Sequence, residues 1–403
     1  MSEWERVRLN EVIALDVDAV PVTATATYDI VGVLNRGRGL LFREPIAGDE
    51  TSYKTLNCIR PNQIVYSRLK AFEGAITVAP NDLGEAYASQ EFPTFTCGER
   101  MLPEFFRLLT TTKRLWEQLQ ALSTGMGGRR ERVKPTDFLT IEVARPSLSE
   151  QRRIVDVMAA VDAQLEALGE EGARADILWW AIASDMVDAL ADGDWVRLDS
   201  IADISGGLTK NKKDFERPDL VEVPYLRVAN VHRRYLDLRE VATIQTTSSK
   251  AEALRLEPGD ILFNEGGDKD KLGRGDVWRG QIDQCIHQNH VFRARVTSPG
   301  FVPQFVSAWG NSFGKSWFET FGTQTTGIAS INKRTLSRFP VPDVPSSEQK
   351  AWADRLDAAW QTQAAVSAEL SHLRTFRSNL LTSLLNQEIE IPESYDALLE
   401  EVS

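Results

Sequence analysis

The 403-residue chain states one pattern twice, and this duplication limits its possible folds more than any other feature. Val7-Arg8-Leu9 returns as Val196-Arg197-Leu198, and Ile59-Arg60-Pro61-Asn62-Gln63-Ile64 returns as Leu256-Glu257-Pro258-Gly259-Asp260-Ile261. Leu102-Pro103-Glu104-Phe105 returns as Val302-Pro303-Gln304-Phe305, and Ser149-Glu150-Gln151 as Ser347-Glu348-Gln349. The offsets are 189, 197, 200 and 198, so a unit of just under two hundred residues occurs twice and has drifted between its landmarks. A pseudo-twofold chain suits a target that itself comes in two parts.

Each copy is a mixed region followed by a long helical pattern. The mixed regions, 1–146 and 191–345, hold short apolar runs such as Gln63-Ile64-Val65-Tyr66-Ser67, Ala75-Ile76-Thr77-Val78 and Asp260-Ile261-Leu262-Phe263, separated by Gly, Pro and Asn. These predict short strands and turns. Helices are expected to start near Pro103 and Pro303, because proline is tolerated in a first turn.

The first long helix, 147–190, opens with Ser147 and Glu150 at capping-box spacing. Its apolar seam runs through Ile154, Met158, Val161, Leu165 and Leu168, loosens at Gly169 and Gly172, and resumes at Leu178, Ile182 and Met186. The second, 346–386, has a similar cap from Ser346 and Gln349, and a seam through Trp352, Leu356, Ala359, Gln363, Val366, Leu370, Leu373, Arg377, Leu380 and Leu384. Alternating steps of four and three are coiled-coil spacing, and neither stripe can be left in water. Each helix is roughly 60 Å long. The expected fold is therefore α/β of the α+β kind: two similar globular domains joined by two long antiparallel coiled-coil helices, with a tail at 387–403. Such a spacer suits two half-sites about one DNA turn, roughly 34 Å, apart.

The net charge of -12 argues against nucleic acid until it is located. Segment 147–190 has nine acids to three bases and segment 346–403 has ten to four, while the remainder balances at thirty-nine each. The acidity lies on the helical segments, and the mixed regions are free to present local basic faces. Three distant cysteines (Cys58, Cys97, Cys285), no secretory leader and no apolar run of about 18 residues predict a cytoplasmic protein with reduced thiols and no membrane association. His287 and His290 are the one close histidine pair, with no partners to complete a metal site, so no metal is expected.

Three stretches carry a likeness: Pro146-Ser147-Leu148-Ser149-Glu150-Gln151-Arg152-Arg153-Ile154-Val155, then Pro224-Tyr225-Leu226-Arg227-Val228-Ala229-Asn230-Val231 after Gly206-Gly207-Leu208-Thr209-Lys210, then Leu373-Arg374, Leu380-Leu381, Ile389-Glu390-Ile391-Pro392 and Tyr395-Asp396. In these, and in the full-length order of mixed region and helix, the chain resembles the specificity (S) subunit of type I restriction-modification systems. The resemblance implies two target-recognition domains that each read half of a bipartite double-stranded DNA target. It implies helices that set the gap and dock two methyltransferase (M) subunits, which bind S-adenosylmethionine. It further implies motor-nuclease (R) subunits for cleavage, and no cofactor in this chain. The acidic helices and the Gly169/Gly172 interruption depart from the pattern and put the straightness of the first helix in question.

Phosphate contacts need cations, and base contacts need Arg, Lys, Asn or Gln on loops. In the first domain the candidates are Arg36 and Arg38 in a Gly-rich loop, Arg68 and Lys70 after a strand, and Arg129, Arg130, Arg132 and Lys134 after Gly125-Met126-Gly127-Gly128. In the second they are Lys210, Lys212 and Lys213; Arg233 and Arg234; Lys271 and Arg274; and Asn332, Lys333 and Arg334.

Catalysis finds no support. Asp343 with Glu348 and Lys350 has the letters of a nuclease motif, but Glu348 falls in a helix first turn, where acids suit the dipole. The glycines from Gly266 to Gly275 lack the G-K-[ST] of a phosphate loop, and no adenine-methyltransferase N/D-P-P-Y/F signature occurs. The alternatives to a DNA-recognition subunit are a coiled-coil adaptor that binds protein, or a specificity subunit of a methylation-only defence system.

Overall fold

The structure, a computed structural model, describes residues 4–123, 132–209, 217–325 and 328–396. The chain forms two compact units: Met1–Ala167 with Leu370–Ser403, and Leu168–Glu369. The division falls in the middle of each long helix, so each unit owns half of both.

The repeat is visible strand by strand. In the first unit a four-stranded antiparallel sheet runs in the order Ile76–Val78, Ile64–Tyr66, Thr94–Cys97, Ile13–Leu15. In the second the order is Gly275–Val277, Asp260–Asn264, Val291–Val296, Ala202–Gly206, again antiparallel throughout. Each unit adds a two-stranded ribbon, Glu5–Arg8 with Glu142–Arg145 and Trp195–Arg197 with Pro340–Pro342. The third sheet is where the copies part: Thr55–Ile59 is central and antiparallel to both neighbours, whereas Leu220–Leu226 pairs antiparallel with Ala242–Thr247 and parallel with Ile286–His287.

The landmarks persist because the backbone needs them. Pro61-Asn62 and Pro258-Gly259 are turns whose second residue has a left-handed backbone, φ 62° at Asn62 and 96° at Gly259. The residue after each closes the turn: Gln63 Oε1 accepts from the Arg60 N–H at 2.9 Å, and Asp260 Oδ2 from the Glu257 N–H at 2.7 Å. The helices expected at the prolines are Pro103–Thr110 and Pro303–Asn311.

The Ser-Glu-Gln landmark is a clamp. Gln151 is fully buried; its Oε1 accepts from the Leu102 N–H at 2.9 Å, and its Nε2 donates to the Arg100 and Pro146 carbonyls at 3.0 Å. Gln349, equally buried, accepts from the Val302 N–H at 2.9 Å and donates to the Gly300 and Val344 carbonyls at 3.0 and 2.7 Å. Gln349 therefore does not cap Ser346 as its spacing predicted. Satisfying three partly buried backbone groups outweighs closing one exposed turn. Ser147 does cap, accepting from the Glu150 N–H at 3.2 Å.

The long helices span Leu148–Leu190 and Ser346–Leu385, each without a break. In both units their halves pack antiparallel. Ile154 and Met158 share the first core with Leu381 and Leu384, with Leu380 beside them, and Asp162 binds the Arg377 guanidinium through both carboxylate oxygens, the longer contact at 2.7 Å. In the second unit Trp179, Ala183 and Met186 join Leu356 and Ala359 in the core, with Trp352 packed against it. Of the other seam positions, Leu168 and Val366 are buried, while Val161, Leu165, Leu370 and Leu373 are half-buried.

The expected seam fails in one stretch. Leu178 is 53% exposed, and the stripe instead runs through Gly172, Ala175, Trp179, Ala183 and Met186. Gly172 is thus a seam residue rather than an interruption: a Cβ there would lie 3.3 Å from Val366 Cγ1, so the glycine admits the neighbouring helix. Gly169 is different, exposed with open space at its Cβ. Gly169→Ala is expected to raise stability by about 0.5–1 kcal/mol through helix propensity alone, and Gly172→Leu to lower it by crowding the seam. Urea denaturation of both variants checks this, and a destabilised Gly169→Ala would refute the distinction.

The 387–403 segment is not a loose tail where it is described. Tyr395 Oη donates to Asp156 Oδ2 at 2.5 Å, Arg153 binds Asp396 at 2.9 Å, and Ile391 packs against the first core.

Candidate nucleic-acid interface

In the first unit six of the basic candidates gather around one segment, Ser67 to Gly74. Arg36 and Arg38 sit at the tip of a hairpin formed by Val31–Val33 and Leu40–Phe42, and the Arg36 N–H donates to the Gly74 carbonyl at 2.7 Å. Arg132 enters beside Arg68, because the Val133 N–H donates to the Arg68 carbonyl at 3.2 Å and both guanidiniums bind Glu91, at 3.1 Å from Arg132 and 3.9 Å from Arg68. Tyr66 Oη ties the same segment to its strand by donating to the Val133 carbonyl at 2.9 Å. Lys70 and Lys134 are exposed within this group. Arg129 and Arg130 lie outside the described residues, in the segment between Ser123 and Arg132.

Sequence reasoning missed the residues that organise this group. Glu91 gathers two arginines from distant segments, and Trp116 carries the Arg36 guanidinium 5.9 Å from its ring centroid. No spacing rule links these positions, since tertiary packing alone brings them together.

In the second unit the candidates divide. Gly266–Gly267 pairs with Ala329–Ser330, and the Ile331 N–H donates to the Glu265 carbonyl at 2.7 Å, which sets Asn332, Lys333 and Arg334 beside the Lys271–Arg274 segment. Asn332 caps the helix Lys333–Ser337 through the Thr335 N–H at 2.9 Å, leaving Lys333 and Arg334 exposed in its first turn. Lys271 is paired with Asp268, and Arg274 is half-buried, with burial lowering its guanidinium below the usual range. Lys210, Lys212 and Lys213 lie outside the described residues.

Arg233 and Arg234 turn inward. Arg233 donates to the Asn311 and Asp270 carbonyls, each at 2.9 Å, and burial, with Arg234 and Arg274 nearby, pushes its guanidinium down to about 10. Arg234 donates to Asp176 Oδ1 at 2.6 Å and lies 4.4 Å from the ring centroid of Trp179, 5.2 Å from Trp360 and 5.8 Å from Trp180. These two side chains bind the hairpin Val231–Leu236 to the rest of their unit and are spent in doing so.

The histidine pair is split as well. His290 Nδ1 lies 2.5 Å from Glu265 Oε2 at the surface, while His287 is fully buried with Nδ1 2.7 Å from the Val291 carbonyl. No group of three or more metal-ligating side chains occurs among the described residues. Burial pushes His287 down to about 4, against about 6.5 for a free imidazole. Its contribution to stability is therefore complete above pH 6.5 and is lost as pH falls towards 4, by an amount of order 3 kcal/mol. The urea midpoint of the second unit should drop more steeply between pH 6.5 and 4.5 in the native chain than in His287→Asn, and equal slopes would refute the assignment.

Two copies of one α+β unit, each completed by antiparallel helix halves and each offering surface cations beside a sheet, define the chain as a tandem-repeat protein with two long helices. No family model matches the sequence. The MjaX type I restriction enzyme specificity subunit of Methanocaldococcus jannaschii is 20% identical over 209 residues; the match covers 48% of this chain and 48% of that relative, so the chain spans about half the length of the curated relative it matches. A chain solved in a study of complex assembly and conformational transition of the type I R-M system is 18% identical, covers 96% of this chain and 98% of its own, and has a TM-score of 0.60. The type I restriction-modification S subunit from M. genitalium is 15% identical, covers 94% and 96%, and has a TM-score of 0.55. The fold is that of the type I specificity subunits, as the helix-entry and C-terminal motifs led us to expect.

Proposed function

We propose that the chain is the DNA-recognition subunit of a type I restriction-modification complex. Each unit reads one half of a bipartite duplex target, and the antiparallel helices set the spacing and dock two M subunits. Those subunits bring S-adenosylmethionine and the methylation chemistry, R subunits join for cleavage, and this chain positions rather than catalyses. The cytoplasm is where such a complex meets DNA, and no described helix is long and apolar enough to cross a membrane. The observation that carries this reading is the duplication itself: the same sheet order and the same glutamine clamp in two units whose surface loops differ. A conserved scaffold with divergent loops is what reading two different half-sites requires.

The test is methylome sequencing of a host given this chain with its neighbouring M subunit, against the M subunit alone. A new bipartite methyladenine motif is expected, and exchange of residues 191–345 should change one half of it. No motif from an assembled complex would overturn the proposal.

A further inference from the structure

The hairpin tip of the first unit differs from every other basic group in the described residues. It is held by hydrogen bonds. Leu34 N–H donates to the Gly39 carbonyl at 3.0 Å and Arg36 N–H to the Gly74 carbonyl at 2.7 Å. Asn35 Nδ2 donates to Glu73 Oε2 at 2.6 Å, and Arg38 Nε to the Asn35 carbonyl at 3.0 Å. Gly37, at φ 65°, presses on the Thr110 carbonyl so closely that a Cβ would stand 2.5 Å from it. Arg36 itself holds a left-handed backbone, φ 60°, which a side-chain-bearing residue adopts only under constraint.

The same device occurs in the second unit, where Arg234, 198 residues on, has φ 74° and donates its N–H to the Gly275 carbonyl at 3.0 Å. There the guanidinium is consumed by Asp176 and the tryptophans. In the first unit it meets a single ring, Trp116 at 5.9 Å, and no carboxylate among the described residues. Arg36 and Arg38 are exposed, and among the described residues neither forms an ion pair, whereas Arg68 and Arg132 share Glu91. The two arginines open onto a cleft of about 860 Å³ whose walls include Trp116 and Gln120.

We propose that this tip, Asn35 to Gly39, is the base-reading element of the first unit, with Arg36 and Arg38 donating to the O6/N7 edge of guanine in the major groove, while Lys70 and Lys134 neutralise phosphates. The planar guanidinium fork matches that edge in two parallel hydrogen bonds, and the match discriminates between bases only when the fork is held in place. Lysine stems at the surface carry charge without such geometry. This inference rests on the proposed DNA recognition and names which residues perform it in one unit.

The test selects duplexes from a random pool with the full chain assembled with its M subunits. Arg36→Lys and Arg38→Lys keep the charge and remove the fork; Lys70→Gln and Lys134→Gln do the reverse. We expect each arginine variant to lose roughly five- to hundredfold of its preference for guanine at one position of one half-site, with the other half-site unchanged as an internal check of folding. The lysine variants should keep both half-sites and bind all sequences more weakly. A native motif that survives both arginine variants, or that has no guanine in the affected half, overturns this inference alone. Absence of any native motif overturns the recognition proposal and this inference with it.

Discussion

Gln349→Leu is expected to destabilise the second unit by about 1–3 kcal/mol, and Gln151→Leu to do the same to the first. Leucine fills a similar volume, so packing is nearly conserved. What is lost is the partner of one N–H and two carbonyls in each unit: Val302, Gly300 and Val344, or Leu102, Arg100 and Pro146. An orphaned buried group costs about 1–3 kcal/mol, and the part-buried ones among these cost less because water reaches them. The helices Pro103–Thr110 and Pro303–Asn311 would also lose their tie to the long helices. Urea denaturation followed by tryptophan fluorescence measures this. A loss below about 1 kcal/mol in either variant would show that the glutamines decorate the junction rather than hold it.

DNA affinity is expected to fall about a thousandfold between 50 and 200 mM salt, despite a net charge of -12. With Arg36 and Arg38 left to the bases, Arg68, Lys70, Arg132 and Lys134 of the first unit and Lys333 and Arg334 of the second make six cations available to phosphates. If that many phosphates are neutralised, the slope of log affinity against log salt should be about -5 or steeper. The acidic excess resides in segments 147–190 and 346–403 and does not enter this count. Removing Lys70 or Lys134 should flatten the slope by about one each. Fluorescence anisotropy across a salt series reads it directly, and a native slope near -1 would contradict an interface built on these groups.

The scaffold was legible in the sequence because its landmarks are backbone requirements. A proline followed by a left-handed residue, a buried glutamine at a junction and a proline at a helix start must recur wherever the unit recurs. The seam was legible wherever a single apolar stripe existed, as from Trp352 to Leu384. It was misread around Gly172 because Ile177, Leu178, Trp180 and Ile182 surround Trp179 with apolar residues on every side, and only the partner helix decides which stripe is inside. The candidate site was legible as composition but not as direction. Arg36 and Arg234 look alike in sequence and share one backbone geometry, yet one guanidinium faces a cleft and the other is locked against Asp176. No local pattern reports which way a side chain turns when the deciding neighbours, Trp116 and Trp179, come from other elements.

The two units also differ at the point where their helices are keyed. The positions 198 residues beyond Asp162 and before Arg377 are Trp360 and Trp179, so the ion pair of one unit is replaced by aromatic rings in the other. Two copies of the first repeat joined in the same register would set each Asp162 against an indole, with no cation to meet it. Two copies of the second would set Arg377 against Trp360, a cation over an indole in place of the ion pair. The chain thus joins two unlike helices, and the ion pair arises only where the carboxylate of one repeat meets the guanidinium of the other.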